Sequence, residues 1–423
     1  MSGPTDSLWR DADFLKLWGG FTVARIGSQV SVLALPLTAV LILGAGATET
    51  GLLVAAQMAP SIVVGLFIGV WVDRLPRRPI LIASDIGSAI VIGSIPLAAA
   101  LGVLGMPQLY AVAFLGGLFA VSTDLARSAY VPTLVGRPQL VGANSRLQAS
   151  NAVAQVAGPS LGGILVQALT APIAMVVDAV TFLMSGALIA AIRTREPARV
   201  PAVGRGVWLD ITEGLRWVRG HEVLLRSITA IALANIEWYG VQAILVVYAT
   251  RELGLPPALL GASLATIGPL SLLGAALAGP LTARWGLGPV MIVALLFETV
   301  SRLLLPFAGG TPIEAAAVLA ASQGLLGITV PLWVVSSVSL QQAVTPEPLL
   351  GRVSSATRFV AFVVAPPAAF GAGIVADVIG LRPTLFIAAV IAAAAFLYLL
   401  LSPVRRFHRP EPLPGPDADI LRA

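Results

Sequence analysis

The chain has no cysteine, two histidines and one lysine, and charged residues fill only 11% of its 423 positions. Without cysteine there is no disulfide, no thiolate metal site and no thiol nucleophile. His221 and His408 lie far apart in polar stretches, so no histidine cluster is available to a metal. No phosphate-binding glycine loop and no Ser/His/acid set occurs either, so we expect neither an enzyme nor a resident cofactor. Soluble domains carry about a quarter charged residues. The scarcity here, with 57% apolar residues and a mean hydropathy of +0.91, marks an integral membrane protein.

What is present is a series of apolar runs, each long enough for a helix that crosses a bilayer. A barrel would show short alternating strands instead. Twelve spans are expected, near 14–43, 51–72, 79–103, 108–126, 147–169, 172–192, 226–250, 257–283, 288–308, 312–340, 353–378 and 381–401. An even number places both termini on one side. Arg251 and Arg382 then fall opposite and Arg25 and Arg302 lie inside spans, leaving 22 of 26 basic residues on the terminus side. By the positive-inside bias both termini are cytoplasmic. The net charge of +5 therefore reports membrane orientation, and no nucleic-acid partner is expected.

The chain also repeats itself. A shift of 210 lays Leu43, Gly44 and Gly51 on Leu253, Gly254 and Gly261, and Gly69, Arg74 and Pro79 on Gly279, Arg284 and Pro289. A shift of 209 matches Leu140, Val141 and Gly142 to Leu349, Leu350 and Gly351. We therefore expect an all-α membrane protein of two pseudo-symmetric six-helix bundles, at 1–192 and 226–402. Residues 193–225 form a cytoplasmic linker, and 403–423 a proline-rich disordered tail. Within the linker, Trp208, Ile211, Leu215 and Val218 recur at helical spacing. That helix lies either on the membrane surface or against the base of the bundle.

The most informative stretch joins the second and third spans: Gly69, Asp73, Arg74, Arg77 and Arg78 in the pattern G-x-x-x-D-R-x-x-R-R. It resembles the loop between helices 2 and 3 of the major facilitator superfamily. Gly158, Pro159, Gly162 and Gly163 resemble the second half of the fifth-helix signature of drug–proton antiporters in that superfamily. Thr123, Asp124, Arg127, Tyr130 and Pro132, with Arg25, Gly27, Ser28, Gln29, Leu35 and Pro36, resemble its enterobactin-exporter and macrolide-efflux-like branch. The chain departs in the fourth span, where Ala113 stands at the spacing of the antiporters' cavity arginine.

The resemblance implies the twelve-helix major facilitator fold in a bacterial inner membrane. It implies a monomer that exports small amphipathic compounds of antibiotic, drug or siderophore type, in exchange for protons, by alternating access. A metabolite or sugar importer of the same fold is the alternative, although these spans are poor in hydrogen-bonding residues. A membrane sensor that transports nothing is a further one.

Ionisable residues inside spans are functional candidates by default. Arg25 and Glu237 sit at similar depth in helices 1 and 7, which line the family's cavity, and are expected to form a proton-coupling pair, with Asp124 and Asp178 as further candidates. Glu298 and Arg302, four apart, are expected to pair locally. Trp238, Tyr239 and Trp333 are expected to line the substrate cavity. Asp73 is expected to latch a gate by accepting hydrogen bonds from the start of helix 11, near Gly351 to Ser354.

Overall fold

The computed structural model describes residues 8–194, 196 and 207–408, with side chains for all of these except 63–74, 137 and 207–210. Among the described residues there are helices and no strand. The N-terminal half comprises α1 (Ala12–Ile42), α2 (Ala47–Arg74), α3 (Arg77–Ala100), α4 (Met106–Val135), α5 (Leu140–Leu169) and α6 (Ala171–Ala190). A short helix, α7 (Val207–Gly220), follows. The C-terminal half comprises α8 (Glu222–Glu252), α9 (Pro257–Trp285), α10 (Leu287–Phe307), α11 (Pro312–Val344), α12 (Glu347–Ile379) and α13 (Leu381–Leu400). Over their described residues, all of these except α2 and α7 are long and apolar enough to cross a membrane; α2 has 28 residues, about 42 Å of helix at 1.5 Å per residue.

Without water in the bilayer core, each backbone amide must be satisfied within its own segment, and a helix does this. The free ends are capped locally. The Asp11 carboxylate accepts from the amides of Asp13 and Phe14, both at 3.0 Å, and Thr311 and Glu314 form a reciprocal capping box at the start of α11.

Two expected boundaries move. The stretch around Arg127, Arg137 and Arg146 was expected to be a loop, but α4 runs on to Val135 and α5 starts at Leu140. The charged groups are accommodated by partners: Arg127 pairs with Asp124 at 2.6 Å and lies 4.1 Å over the Phe21 ring, and Arg146 lies 4.9 Å over Trp9. The tail is also ordered at its start. Val404 is buried, and the Gly288 amide donates to Phe407 at 3.0 Å, because Gly286 and Gly288 leave room for the 404–408 backbone. The remainder of the expected tail, 409–423, lies outside the described residues.

The internal repeat is exact to the residue through much of the fold. The π-turn Thr38–Ile42 that ends α1 recurs 210 residues later as Tyr248–Glu252. The turn before α5 (Arg137–Gln139) recurs as Glu347–Leu349, and α6 (Ala171–Ala190) as Leu381–Leu400. Leu140 therefore corresponds to Leu350, so the one-residue slip suggested by the shift of 209 does not occur.

At the end away from the termini the halves meet through glycine. A Cβ on Gly163 of α5 would lie 3.0 Å from Gly261 Cα of α9, and one on Gly51 of α2 would lie 3.2 Å from Gly373 Cα of α12. The same end carries hydrogen bonds between the halves. Asp377 accepts from the amides of Ala47 at 3.1 Å and Thr48 at 2.8 Å, and Arg251 donates to the carbonyls of Gly44 and Ala45 at 2.7 Å. At the terminus end α7 rests on the base of the C-terminal half: Ile211 and Val218 are buried, Arg216 and Arg219 are exposed, and Glu213 pairs with Arg352 of α12 at 2.5 Å. Of its two expected positions α7 takes the packed one, and Trp208 lies among the side chains not described.

Candidate functional site

Each half encloses its own cavity. That of the C-terminal half, about 530 Å³, lies between α8, α10, α11 and α12. Trp238 and Tyr239 from α8 and Trp333 from α11 all line it, joined by Phe362 of α12. Glu298 of α10 and Arg358 of α12 are its charged groups. Its polar wall is built in advance: Gln341 donates to Ser354 at 2.8 Å and accepts from Thr357 at 3.1 Å. Such a cavity holds an apolar ring system and offers it one acid, one base and a few fixed polar contacts.

Behind this wall the ionisable groups pair differently from the sequence expectation. Glu237 accepts from Arg302 Nε at 2.5 Å, and the two residues are 1% and 3% exposed. Arg25 is not the partner of Glu237. The reason is register: with the 210-residue repeat, Glu237 corresponds to Gly27 and Arg25 to Asn235. Two residues turn a helix by about 200°, so Arg25 and Asn235 face the cavities of their own halves while Glu237 faces α10. Arg302 lies 5.1 Å from the Trp238 ring centroid, and Glu298 interacts with both Glu237 and Arg302. The sequence pairing of Glu298 with Arg302 thus becomes a three-residue cluster reached from α8. A buried acid and base at complementary positions of α8 and α10 were the only sequence signal for it.

The N-terminal cavity, about 220 Å³, lies between α1, α3, α4 and α6, with Gln57 of α2. It brings together Arg25, Asp124 and Asp178, and adds Asp85 and Arg127. Asp124 is held by Arg127 and is largely exposed, its side chain being 63% accessible. Asp178 and Asp85 are buried. Asp85 lies near the inner end of its span and was therefore not placed among the coupling candidates.

The fifth-helix motif divides by face. Gly158 and Gly162 pack on Gln29 and Val30 of α1, while Gly163 and the Pro159 carbonyl meet Gly261 of α9. In the loop motif, the amides of Arg77 and Arg78 donate to Glu196 at 2.9 and 2.7 Å, and the Arg78 guanidinium donates to the carbonyls of Ile189 and Ala190 at the end of α6. An acid thus sits at one helix start and a cation at another helix end, as their dipoles favour. The side chains of Gly69, Asp73 and Arg74 lie outside the described ones, and with them the expected latch.

Known proteins resemble the chain over most of its length. It is 28% identical over 373 residues to the multidrug efflux pump Tap of Mycolicibacterium fortuitum, covering 85% of this chain and 88% of that protein. It is 25% identical over 266 residues to the class C tetracycline resistance protein of Escherichia coli, covering 62% and 65%. A crystal structure of a bacterial homologue of the iron transporter ferroportin, in an inward-facing state, superposes with a TM-score of 0.74 at 16% identity, over 92% of this chain and 98% of that one. The match to the Major Facilitator Superfamily extends over residues 17–366, and the chain belongs to that superfamily of membrane transporters.

Proposed function

We propose that this chain is a secondary exporter of small amphipathic compounds, working as a monomer by alternating access and driven by protons. The observation that carries the reading is the C-terminal cavity of about 530 Å³, walled by Trp238, Tyr239, Trp333 and Phe362, with Glu298 as its acid. A sugar or polar metabolite would need more hydrogen-bonding groups than this wall offers, whereas a flat apolar drug with a cationic centre matches it. Names of the relatives agree with the direction, since they denote efflux and drug resistance. A siderophore-sized cargo remains within this class.

The bias of basic residues supports an orientation with both termini in the cytoplasm. With that orientation, the contacts of Asp377, Arg251 and the glycine pairs close the outer face, and the cavities face inward. Expression in an efflux-deficient bacterium tests the function. Resistance to lipophilic cationic drugs and to tetracycline should rise, and a protonophore should abolish the gain. Unchanged susceptibility across such a panel, together with accumulation of a sugar or nucleoside, supports import instead.

A further inference from the structure

We propose that proton and substrate are held in different halves: the proton on Asp178 in the N-terminal cavity, the substrate in the C-terminal one. This rests on the exporter reading and assigns its coupling site.

The argument begins from burial without a partner. Asp178 is 0% exposed, and its Oδ2 has no hydrogen-bond partner. Its Oδ1 meets the Thr181 hydroxyl at 3.4 Å. The Ser31 hydroxyl lines the same cavity and is the other polar group turned towards this carboxyl. Asp85, 2% exposed, likewise has an unpartnered Oδ2. A bare carboxylate in such surroundings is costly, and a proton or a cation must accompany it. Among the described residues no acidic cluster has the spacing to hold a metal ion. Glu237 differs, because Arg302 already neutralises it.

The charged groups that face this cavity are Arg25 from α1, Asp85 from α3, and Asp124 and Arg127 from α4. Arg127 is engaged by Asp124. Asp85 lies 8 residues from the terminus end of α3 and Asp178 lies 12 from that of α6, depths of about 12 and 18 Å. The two acids therefore stand at successive depths, with Asp178 the deeper.

Asp178 is also placed to act on the closure. A Cβ on Gly27 would lie 2.9 Å from its Oδ1, so α1 and α6 are in contact at this acid. Two residues on, Gln29 and Val30 press against Gly158 and Gly162, and the opposite face of that α5 segment meets Gly261 across the interface. Loss of the proton leaves a buried anion that draws water or Arg25 towards it. This displaces α1, and α5 carries the displacement to its contact with α9. No bond other than the carboxyl O–H forms or breaks; the proton passes between bulk water and Asp178.

The test uses the full chain in liposomes with ethidium as the probe. In Asp178→Asn, acceleration of ethidium movement by a pH gradient should be lost, while ethidium binding, read from tryptophan quenching, and ethidium exchange without a gradient persist. Asp178→Glu should recover part of the acceleration, which a mere folding defect would not allow. A second measurement needs no substrate: the infrared band of a protonated carboxyl should appear on acidification of wild type and of the double variant Glu237→Met with Arg302→Met, and be reduced in Asp178→Asn. If wild type moves no ethidium, the exporter reading fails for that probe, and the infrared band alone decides the proton site. Retained gradient-driven movement in Asp178→Asn, or an unchanged band, overturns the assignment.

Discussion

Gly163 of α5 and Gly261 of α9 touch backbone to backbone: a Cβ on either would lie within 3.0 Å of the other's Cα. The internal repeat turns Gly51 into Gly261 and Gly163 into Gly373, so the second glycine contact, Gly51 against Gly373, is the same contact rotated. Two crossings of one design close one end of the molecule. Overpacking such a site costs about 1–3 kcal/mol, which shifts a two-state equilibrium by roughly 5- to 150-fold. Gly163→Val and Gly261→Val should therefore favour the state open at that end and lower drug resistance at normal membrane abundance. Single cysteines added at residue 48 of this cysteine-free chain report the opening, and unaltered maleimide labelling would count against it.

Thr170 and Gly380 are repeat mates that share one backbone conformation, with φ of 89° and 99°. That region suits glycine and strains other residues by about 1–3 kcal/mol. Thr170→Gly should raise the unfolding temperature in detergent and Gly380→Thr should lower it. If both variants melt with wild type, the turn before α6 tolerates a side chain without strain.

The Glu237–Arg302 pair separates structural from functional roles. Removing one partner of a buried ion pair costs about 3–5 kcal/mol, whereas replacing both with apolar residues is often neutral. Glu237→Gln should lower thermal stability markedly, and Glu237→Met with Arg302→Met should restore it. The double variant should still export drugs under a proton gradient if the pair only holds α8 to α10. A stable double variant without gradient-driven export would return the coupling role to Glu237.

These residues also show what the sequence could and could not disclose. Span number and the duplication follow from apolar run length and local spacing, which are properties of single helices, whereas the expectation that Trp238, Tyr239 and Trp333 line a cavity came from the family resemblance. Arg25 and Glu237 were matched by depth and by the cavity role that the resemblance gives their helices, and neither determines the face; a two-residue offset in the repeat turned Glu237 onto α10. Asp178 stood only as a further candidate beside Arg25 and Glu237, yet α6 packs on α1 and presents the acid to a cavity. Gly163 carried a helix-packing signal in sequence, but its partner on α9 depends on how the halves dock.

A clasp of two charges secures the closed end. Asp377 receives two amides at the start of α2, and Arg251 covers the carbonyls of Gly44 and Ala45. Hydrogen bonds to charged groups contribute about 1.5–3 kcal/mol each. Asp377→Ala should thus open this end roughly tenfold or more, and Arg251→Gln should act in the same direction. The effect should shrink at high salt only slightly, because both groups bond directly to backbone. Spin labels at the exposed residues 103 and 313, one at this end of each half, would measure it; an unchanged distance distribution would show that the glycine crossings suffice alone.

Glu298 is the acid that the C-terminal cavity offers, with Arg358 as its cation. Under the proposed function, its role in recognition differs from that of the aromatic wall. A cation over Trp238 or Trp333 gains about 0.5–2 kcal/mol, and an adjacent carboxylate adds attraction that only charged ligands feel. Glu298→Gln should therefore weaken export of ethidium more than that of an uncharged drug of similar size. Trp333→Ala should weaken both, because it removes apolar surface from any ligand. Glu298 also touches the Glu237–Arg302 pair, so Glu298→Gln must first be shown to melt like wild type. Equal losses for charged and uncharged drugs in a stable Glu298→Gln protein would place Glu298 with the structural pair and leave selectivity to the aromatics.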